Sequence, residues 1–168
     1  MKVYYKFFLI ILFYFPLNAH SNENISIVDV DKLFSDSDKG KIIISKLNEL
    51  KKNNEIEIKK KEEIIIKLDQ DIKSKKNLIN EDELNTMISE MNNLLKDIKN
   101  YKDNFFKDYE KIKNEQLTVF FNDISPIIEQ YMIKNSIEII IDKKNIFIAN
   151  QNNEITNDLL KIINKEIK

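Results

Sequence analysis

The sequence predicts a mainly α-helical protein with a small strand-containing body, from which a long antiparallel helical hairpin projects as a coiled-coil arm. Three observations support this fold class. The 168 residues include only one Gly and two Pro, and 33% are charged, which favours long helices over tightly turned β-structure. Apolar residues recur at seven-residue intervals through the middle of the chain. Short β-branched runs lie towards both ends.

The first 21 residues have the order of a secretion signal and are set apart from the fold. Two lysines precede an apolar run from Phe7 to Leu17, and small residues follow it. Cleavage after Ala19 and cleavage after Ser21 both fit this pattern. An uncleaved membrane anchor is the alternative, although the apolar run is shorter than the ~20 residues that a spanning helix needs. The signal predicts an exported protein.

Composition excludes several kinds of chemistry. The chain has no Cys, and its one His, His20, lies beside the cleavage sites. Removing the two lysines of the signal from the 27 basic residues leaves 25 against 28 acidic residues, so the net charge is about −3. That balance provides no general attraction for nucleic acid, and no glycine-rich loop could hold a phosphate. We therefore expect no enzymatic activity, cofactor, metal site or nucleic-acid partner.

The body is predicted to begin with a strand and a short helix. The β-branched run Ile25–Val30 is typical of a strand. Asp31 can cap a helix over Lys32–Ser37. Gly40, the single glycine, lies where that helix would give way to the next.

The arm is predicted over residues 41–113, where two apolar ladders with a seven-residue repeat indicate two pairing helices. A change of phase, with Asn80 as a helix cap, predicts the hairpin tip at Asn77–Asn80; one uninterrupted helix is the alternative. The first ladder is interrupted by polar residues, so the hairpin is expected to splay easily. The first ladder comprises Ile44, Ile58, Ile65, Ile72 and Ile79 with Leu47 and Leu68, and its interruptions are Lys51, Asn54, Lys61 and Lys75. The second comprises Leu84, Met91, Ile98, Phe105 and Ile112 with Met87, Leu94 and Tyr101.

The rest of the chain returns to the body, which is predicted from residues 22–40 and 114–168. The returning helix should bend near residues 122–125, because Pro126 removes one backbone donor, and it should end near Asn135. Two further apolar runs predict strands joined as a β-hairpin, and a final helix follows. The strands are predicted at Ile137–Asp142 and Ile146–Ala149, and Thr156 is the predicted cap of the final helix.

This order of segments resembles the OmpH/Skp family of periplasmic chaperones over essentially the whole chain. The resemblance depends on the opening strand and helix, the glycine before the arm, the proline bend, a later strand and the closing helix. These segments are Ile25–Phe34, Lys39–Lys41, Ser125–Ile127, Ile137–Asp142 and Glu154–Leu160.

The resemblance implies a homotrimer in the periplasm whose three chains pool their strands into one body. Three arms would then enclose a cavity that holds unfolded outer-membrane proteins without ATP and aids their delivery. A body of two or three strands carrying one long arm would be unstable alone, which agrees with assembly. The residues expected in the trimer body are Ile27, Val28, Val30, Ile139, Ile141, Ile146 and Ile148.

The arm offers soft and aromatic side chains that could hold a client loosely. Phe106, Tyr109, Met87 and Met91 are the candidates for client contact, and Phe106 lies off the helix seam. The alternative is that Met87 and Met91, with the ladder aromatics, only form the seam.

Other functions and partners are also considered. Some members of the family bind lipopolysaccharide through basic arms, whereas this mature chain is slightly acidic and lacks Arg. No lipopolysaccharide- or membrane-binding residues are therefore assigned. The alternative function is that of a structural or adaptor coiled-coil protein of the cell envelope, which would share the signal and the heptads.

Overall fold

The computed structural model describes residues 24–167, and the predicted secretion signal with its cleavage sites lies outside them. The elements follow one another in the predicted order, except that the predicted strand Ile146–Ala149 is absent and two single-turn 3-10 segments follow the second strand. The bounds are β1 (Ile25–Val28), α1 (Val30–Asp36), α2 (Asp38–Lys75), α3 (Glu81–Lys134), β2 (Ile139–Asp142), the 3-10 turns Lys143–Asn145 and Gln151–Asn153, and α4 (Thr156–Glu166). The predicted fold class, a helical hairpin with a small strand-containing body, is confirmed.

The sheet of the body joins the two ends of the chain. β1 pairs in parallel with β2, with Ile25 opposite Ile139. On its other side, β1 forms a bridge between Ile27 and Glu154. The backbone N–H of Ile155 donates a hydrogen bond to the Ile27 carbonyl at 2.9 Å. β1 therefore lies between β2 and the segment that leads into α4.

The predicted β-hairpin is wrong, because Ile146–Ala149 forms no strand and β2 has β1 as its partner. The physical reason lies in the turn after β2. The Asp142 carboxylate accepts a hydrogen bond from the backbone N–H of Lys144 at 3.2 Å and so caps a 3-10 turn over Lys143–Asn145. That turn leads the chain away from β2, and pairing with β1 buries Ile27 and Val28 instead.

Two predicted helix starts in the body also differ. β1 ends at Val28, so Val30 lies in α1 rather than in a strand. The cap of α1 is Asp29, whose carboxylate accepts from the N–H of Lys32 at 2.9 Å; Asp31 lies in the first turn, where its negative charge interacts favourably with the helix dipole. At the other end, Thr156 is the first residue of α4 and not its cap. Its hydroxyl instead accepts the backbone N–H of Asp29 at 2.9 Å.

The hairpin of the arm is confirmed, which excludes the single uninterrupted helix. α2 ends at Lys75, and Asn80 caps α3 by accepting the N–H of Glu83 at 2.9 Å. α3 continues through Pro126 to Lys134 without a break in the helix. The bend predicted near residues 122–125 stays a prediction.

The hydrophobic core lies where the base of the arm meets α1 and α4. Phe120 and Ile124 of α3 pack with residues of both short helices, and the ring of Phe34 meets that of Phe120 edge-on with 5.0 Å between centroids. Leu47 and Tyr109 extend this core into the predicted arm. Within residues 24–167, no helix has the length and apolar composition needed to cross a membrane.

Candidate functional site

The seam between α2 and α3 forms as the ladders predict. Every ladder residue is buried or half-buried, and Ile98 and Leu47 are the most enclosed. Residues spaced alternately by three and four positions in a heptad repeat face the partner helix, so this burial is what two paired helices require. The two ladders therefore supply the internal packing of the arm and leave other residues for its surface.

The polar interruptions of the seam behave in two ways. The three lysines reach out to solvent, and Lys61 places its ammonium 5.1 Å from the centre of the Tyr101 ring. Next to it, the Lys102 ammonium donates to a carboxylate oxygen of Glu62 at 2.8 Å. These contacts link the two helices midway along the arm while keeping the charges hydrated.

Asn54 is different, because it stays inside the seam. Only 8% of its surface is exposed, and its Oδ1 accepts no hydrogen bond within the described part of the chain. A buried acceptor without a donor costs about 1–3 kcal/mol. The pairing of α2 with α3 is therefore weakened where Asn54 lies.

The four predicted client-contact residues differ in their position along the arm and in their exposure. Met87 and Met91 are half-buried in the seam near the tip, and Tyr109 is half-buried against the core of the body. Phe106 is off the seam, with 66% of its surface exposed. Met91 and Phe106 are separated by roughly 22 Å along α3. Phe106 is therefore the one of the four that presents most of its side chain to solvent.

Further exposed apolar residues lie on the arm, and the sequence analysis did not single them out for client contact. The signal that could have found Ile64 and Ile66 is their position beside Ile65, since only one residue in a run of three can point into a seam. The exposed set on the arm comprises Ile42, Leu50, Ile56, Ile64, Ile66, Leu78, Ile88, Leu95 and Phe106.

The body carries a second exposed apolar surface, after β2. Phe147 and Ile148 are almost fully exposed, and Ile139 on β2 is partly exposed. Of the other residues predicted for the trimer body, Ile27 and Val28 are buried within the single chain, whereas the remainder are half-buried: Val30, Ile141 and Ile146. Their place in a trimer interface stays a prediction.

Charged groups form pairs on the surface. A hydrogen bond from Lys144 holds the pKa of the Asp142 carboxyl below its usual range, and one from Lys60 does the same for the pKa of Glu57. Burial raises the pKa of the Tyr131 hydroxyl. Within residues 24–167, no group of three or more potential ligands is placed to hold a metal ion.

Comparison with known proteins identifies a matching family and a similar solved structure. The family described as Outer membrane protein (OmpH-like) matches residues 24–163. No curated protein matches the chain. A crystal structure from Caulobacter crescentus, described as a candidate outer membrane chaperone (OmpH-like), superposes with a TM-score of 0.76 and 16% sequence identity, covering 86% of each chain. At that identity the structural likeness shows the fold, whereas the family match spans most of the sequence. The chain therefore belongs to the OmpH-like family of chaperones.

Proposed function

We propose that this protein is a periplasmic holdase chaperone, which binds unfolded outer-membrane proteins without ATP, prevents their aggregation and aids their delivery to the outer membrane. Membership of the OmpH-like family supports the chaperone function. The single observation that carries the proposal is the set of exposed apolar side chains on the arm outside its seam, of which Phe106 is the largest. These side chains are not needed for pairing α2 with α3, so they are available to a client.

The chemistry of the arm suits loose binding. Each exposed apolar side chain offers a client contact of about 1 kcal/mol, far less than a folded core provides. Charged residues separate these contacts along both helices and keep the surface hydrated. A client held by many weak contacts can leave without an energy source, as an ATP-independent chaperone requires.

We further propose that the chain acts as a homotrimer assembled through its body. Phe147 and Ile148 expose apolar surface after the 3-10 turn that follows β2, and within the described residues no strand covers the outer edge of β2. An uncovered strand edge next to exposed apolar residues is a site for pairing with another chain. Pooling strands from several copies would cover both features.

An arm deletion tests the proposed function. The contacts Lys39–Asp123 and Lys61–Tyr101 place Asn53 level with Tyr109, so a short linker can join these two residues. The deletion variant retains Leu47 and Tyr109, which belong to the core of the body or pack against it. We expect it to stay folded and trimeric in sedimentation but to lose protection of an unfolded outer-membrane protein diluted from urea.

Two outcomes would contradict this expectation. If the armless variant protects the client as well as the full chain does, the arm is not the binding surface. If it unfolds into monomers, the arm holds the oligomer together, and a structural coiled-coil protein of the envelope becomes the better interpretation.

A further inference from the structure

Two of the three methionines in the described residues lie together in the seam near the arm tip. Met87 and Met91 are four residues apart, so they lie on the same face of α3. In the second ladder they lie between Leu84 and Leu94, and all four side chains are half-buried. Thioethers therefore occupy half of the seam positions in this stretch of α3.

The seam is the only connection between the two helices in this part of the arm. Within residues 24–167, the polar contact between α2 and α3 that lies nearest the tip joins Glu62 and Lys102. The hairpin beyond it comprises residues 63–75 and 81–100, and we call this part the distal arm. Its ion pair, between Lys73 and Asp69, lies within α2. Pairing in the distal arm therefore depends on the apolar packing of the ladders.

Met87 is accessible from solvent. An open groove near the tip is lined by Met87 together with Thr86, Ile79 and Lys75. The Lys75 side chain interrupts the first ladder and is exposed, so it does not pack across the seam. A small oxidant in solution therefore has access to this side of the seam. Met132, the third methionine, packs against the core of the body instead.

A thioether in this position reacts with two-electron oxidants. Hydrogen peroxide transfers one oxygen atom to the sulfur: the O–O bond breaks, an S–O bond forms, and water leaves. The product, methionine sulfoxide, is polar, whereas the neighbouring ladder residues Leu84 and Leu94 cannot donate a hydrogen bond. Keeping that oxygen in the seam without a partner is costly, so oxidation favours separation of α2 from α3.

We propose that Met87 and Met91 form a reversible redox switch, in which oxidation of their sulfurs opens the distal arm and leaves the body intact. Opening uncovers the apolar ladder residues of both helices, so the oxidised protein holds an unfolded outer-membrane protein longer than the reduced protein does. This consequence rests on the proposed function, because it requires that apolar surface of the arm binds clients. The chain has no Cys, so methionine is the sulfur group through which it responds to oxidants.

The test compares the variant Met87→Leu/Met91→Leu with Met132→Leu in the full-length protein. Leucine preserves the apolar character and approximate volume of methionine, so both variants should fold. The double variant leaves Met132 as the one methionine of the described residues, and Met132→Leu keeps the pair. Each protein is treated with hydrogen peroxide, and mass spectrometry measures the oxidation at each site.

Hydrogen exchange in the distal arm is the structural measurement. After peroxide we expect exchange at least about tenfold faster in wild-type protein and in Met132→Leu, and a change of less than about twofold in the double variant. Treatment with the two methionine sulfoxide reductases, one for each epimer, should restore slow exchange. Met87→Gln, which places a polar side chain in the seam, should speed exchange without any oxidant.

Client retention is the functional measurement. Wild-type protein oxidised by peroxide should release an unfolded outer-membrane protein several-fold more slowly than reduced protein, and the reductases should reverse the effect. The double variant should release the client at the same rate before and after peroxide.

Three results would overturn the proposal. The first is that Met87 and Met91 resist peroxide, or that their full oxidation leaves exchange in the distal arm unchanged. The second is an equally large change in the double variant, because oxidation of Met132 would then act through the body. The third is client retention that stays the same or falls when the distal arm opens. Failure of the proposed function gives a different result, since reduced wild-type protein would not suppress aggregation at all while peroxide would still speed exchange.

Discussion

Gly40 lies directly against the carbonyl group of Phe34. A Cβ added at Gly40 would lie 1.6 Å from the carbonyl oxygen of Phe34 and 2.7 Å from its carbonyl carbon. The contact joins the last turn of α1 to the first turn of α2, where the Ser37 hydroxyl accepts the N–H of Gly40 at 3.1 Å. Only a residue without a side chain allows the two helices to follow each other so closely.

We therefore expect Gly40→Ala to destabilise the body by at least about 2 kcal/mol, since a backbone carbonyl must move to make room. Helix propensity alone predicts the opposite, because Ala is favoured over Gly inside a helix. Thermal unfolding followed by circular dichroism measures the change. Ser45→Ala at an exposed position of α2 is the control and should be neutral or slightly stabilising. An unchanged midpoint in Gly40→Ala would contradict the close contact.

Thr156→Val should destabilise the body by about 1–3 kcal/mol with almost no change in shape. The Thr156 side chain is fully buried, and the substitution leaves the N–H of Asp29 without its acceptor. Thr118→Val is the control, because the Thr118 hydroxyl only donates to the carbonyl of Asn114 on the exposed surface of α3. Urea unfolding of both variants gives the comparison, and equal stabilities would show that the Thr156 contact is unimportant.

Asn54→Leu should stabilise the arm by about 1–2 kcal/mol, because it replaces a buried acceptor lacking a donor with an apolar side chain in a heptad seam. Hydrogen exchange in the middle of α2 and α3 should slow, whereas exchange in the body should stay the same. Asn53→Leu, on the exposed side of the same helix, is the control. Unchanged or faster exchange in Asn54→Leu would mean that Asn54 is not the weak point of the seam.

Ile148→Asp should dissociate the proposed trimer, because a charge would be placed in the apolar surface after β2. Leu78→Asp at the arm tip is matched in exposure, at 83% against 84% for Ile148, but lies far from the body. Sedimentation at micromolar concentration should show species smaller than a trimer for Ile148→Asp, whereas Leu78→Asp should remain trimeric. Trimers in both variants would remove Ile148 from the interface, and monomers of the wild-type protein would contradict the homotrimer itself.

Phe106→Ser should weaken client retention several-fold while leaving the unfolding midpoint nearly unchanged, since the exposed ring contributes little to the arm. Phe120→Ser is the contrasting variant, because that ring is fully buried in the core and its loss should cost about 3–5 kcal/mol. Phe106→Ser should therefore reduce aggregation suppression more than it lowers the unfolding midpoint, whereas Phe120→Ser should mainly lower the unfolding midpoint. A large loss of stability in Phe106→Ser with normal retention would assign Phe106 to packing.

The arm could be predicted from sequence because its pattern is local. Each helix shows its seam through a seven-residue repeat, and Asn80 signals the start of α3 within a few residues. The exposure of Phe106 follows from the same repeat, since Phe105 already occupies the seam position. The side of the arm on which Ile66 lies could not be predicted in this way, because the contact between Lys102 and Glu62, one turn before Ile66, forms only in the folded hairpin.

The sheet could not be predicted, because its partners are distant in sequence. Ile137–Asp142 and Ile146–Ala149 are both β-branched or aromatic and are neighbours, so a hairpin satisfies every local preference. The choice of β1 as partner depends on burying Ile27 and Val28, which no local pattern records. The same holds for Thr156, whose hydroxyl accepts a hydrogen bond from the N–H of Asp29, a residue far from it in sequence.

The parallel pairing of β1 with β2 has a consequence for the order in which the protein folds. Their paired residues Ile25 and Ile139 lie more than a hundred positions apart, with the whole arm between them. Closing so long a loop in one step is entropically costly, whereas the hairpin can close in short steps from its tip. Once α2 and α3 have zipped together, the ends of the chain are already neighbours. We expect the sheet to form last, so that each newly made subunit has a working arm before it is competent to assemble.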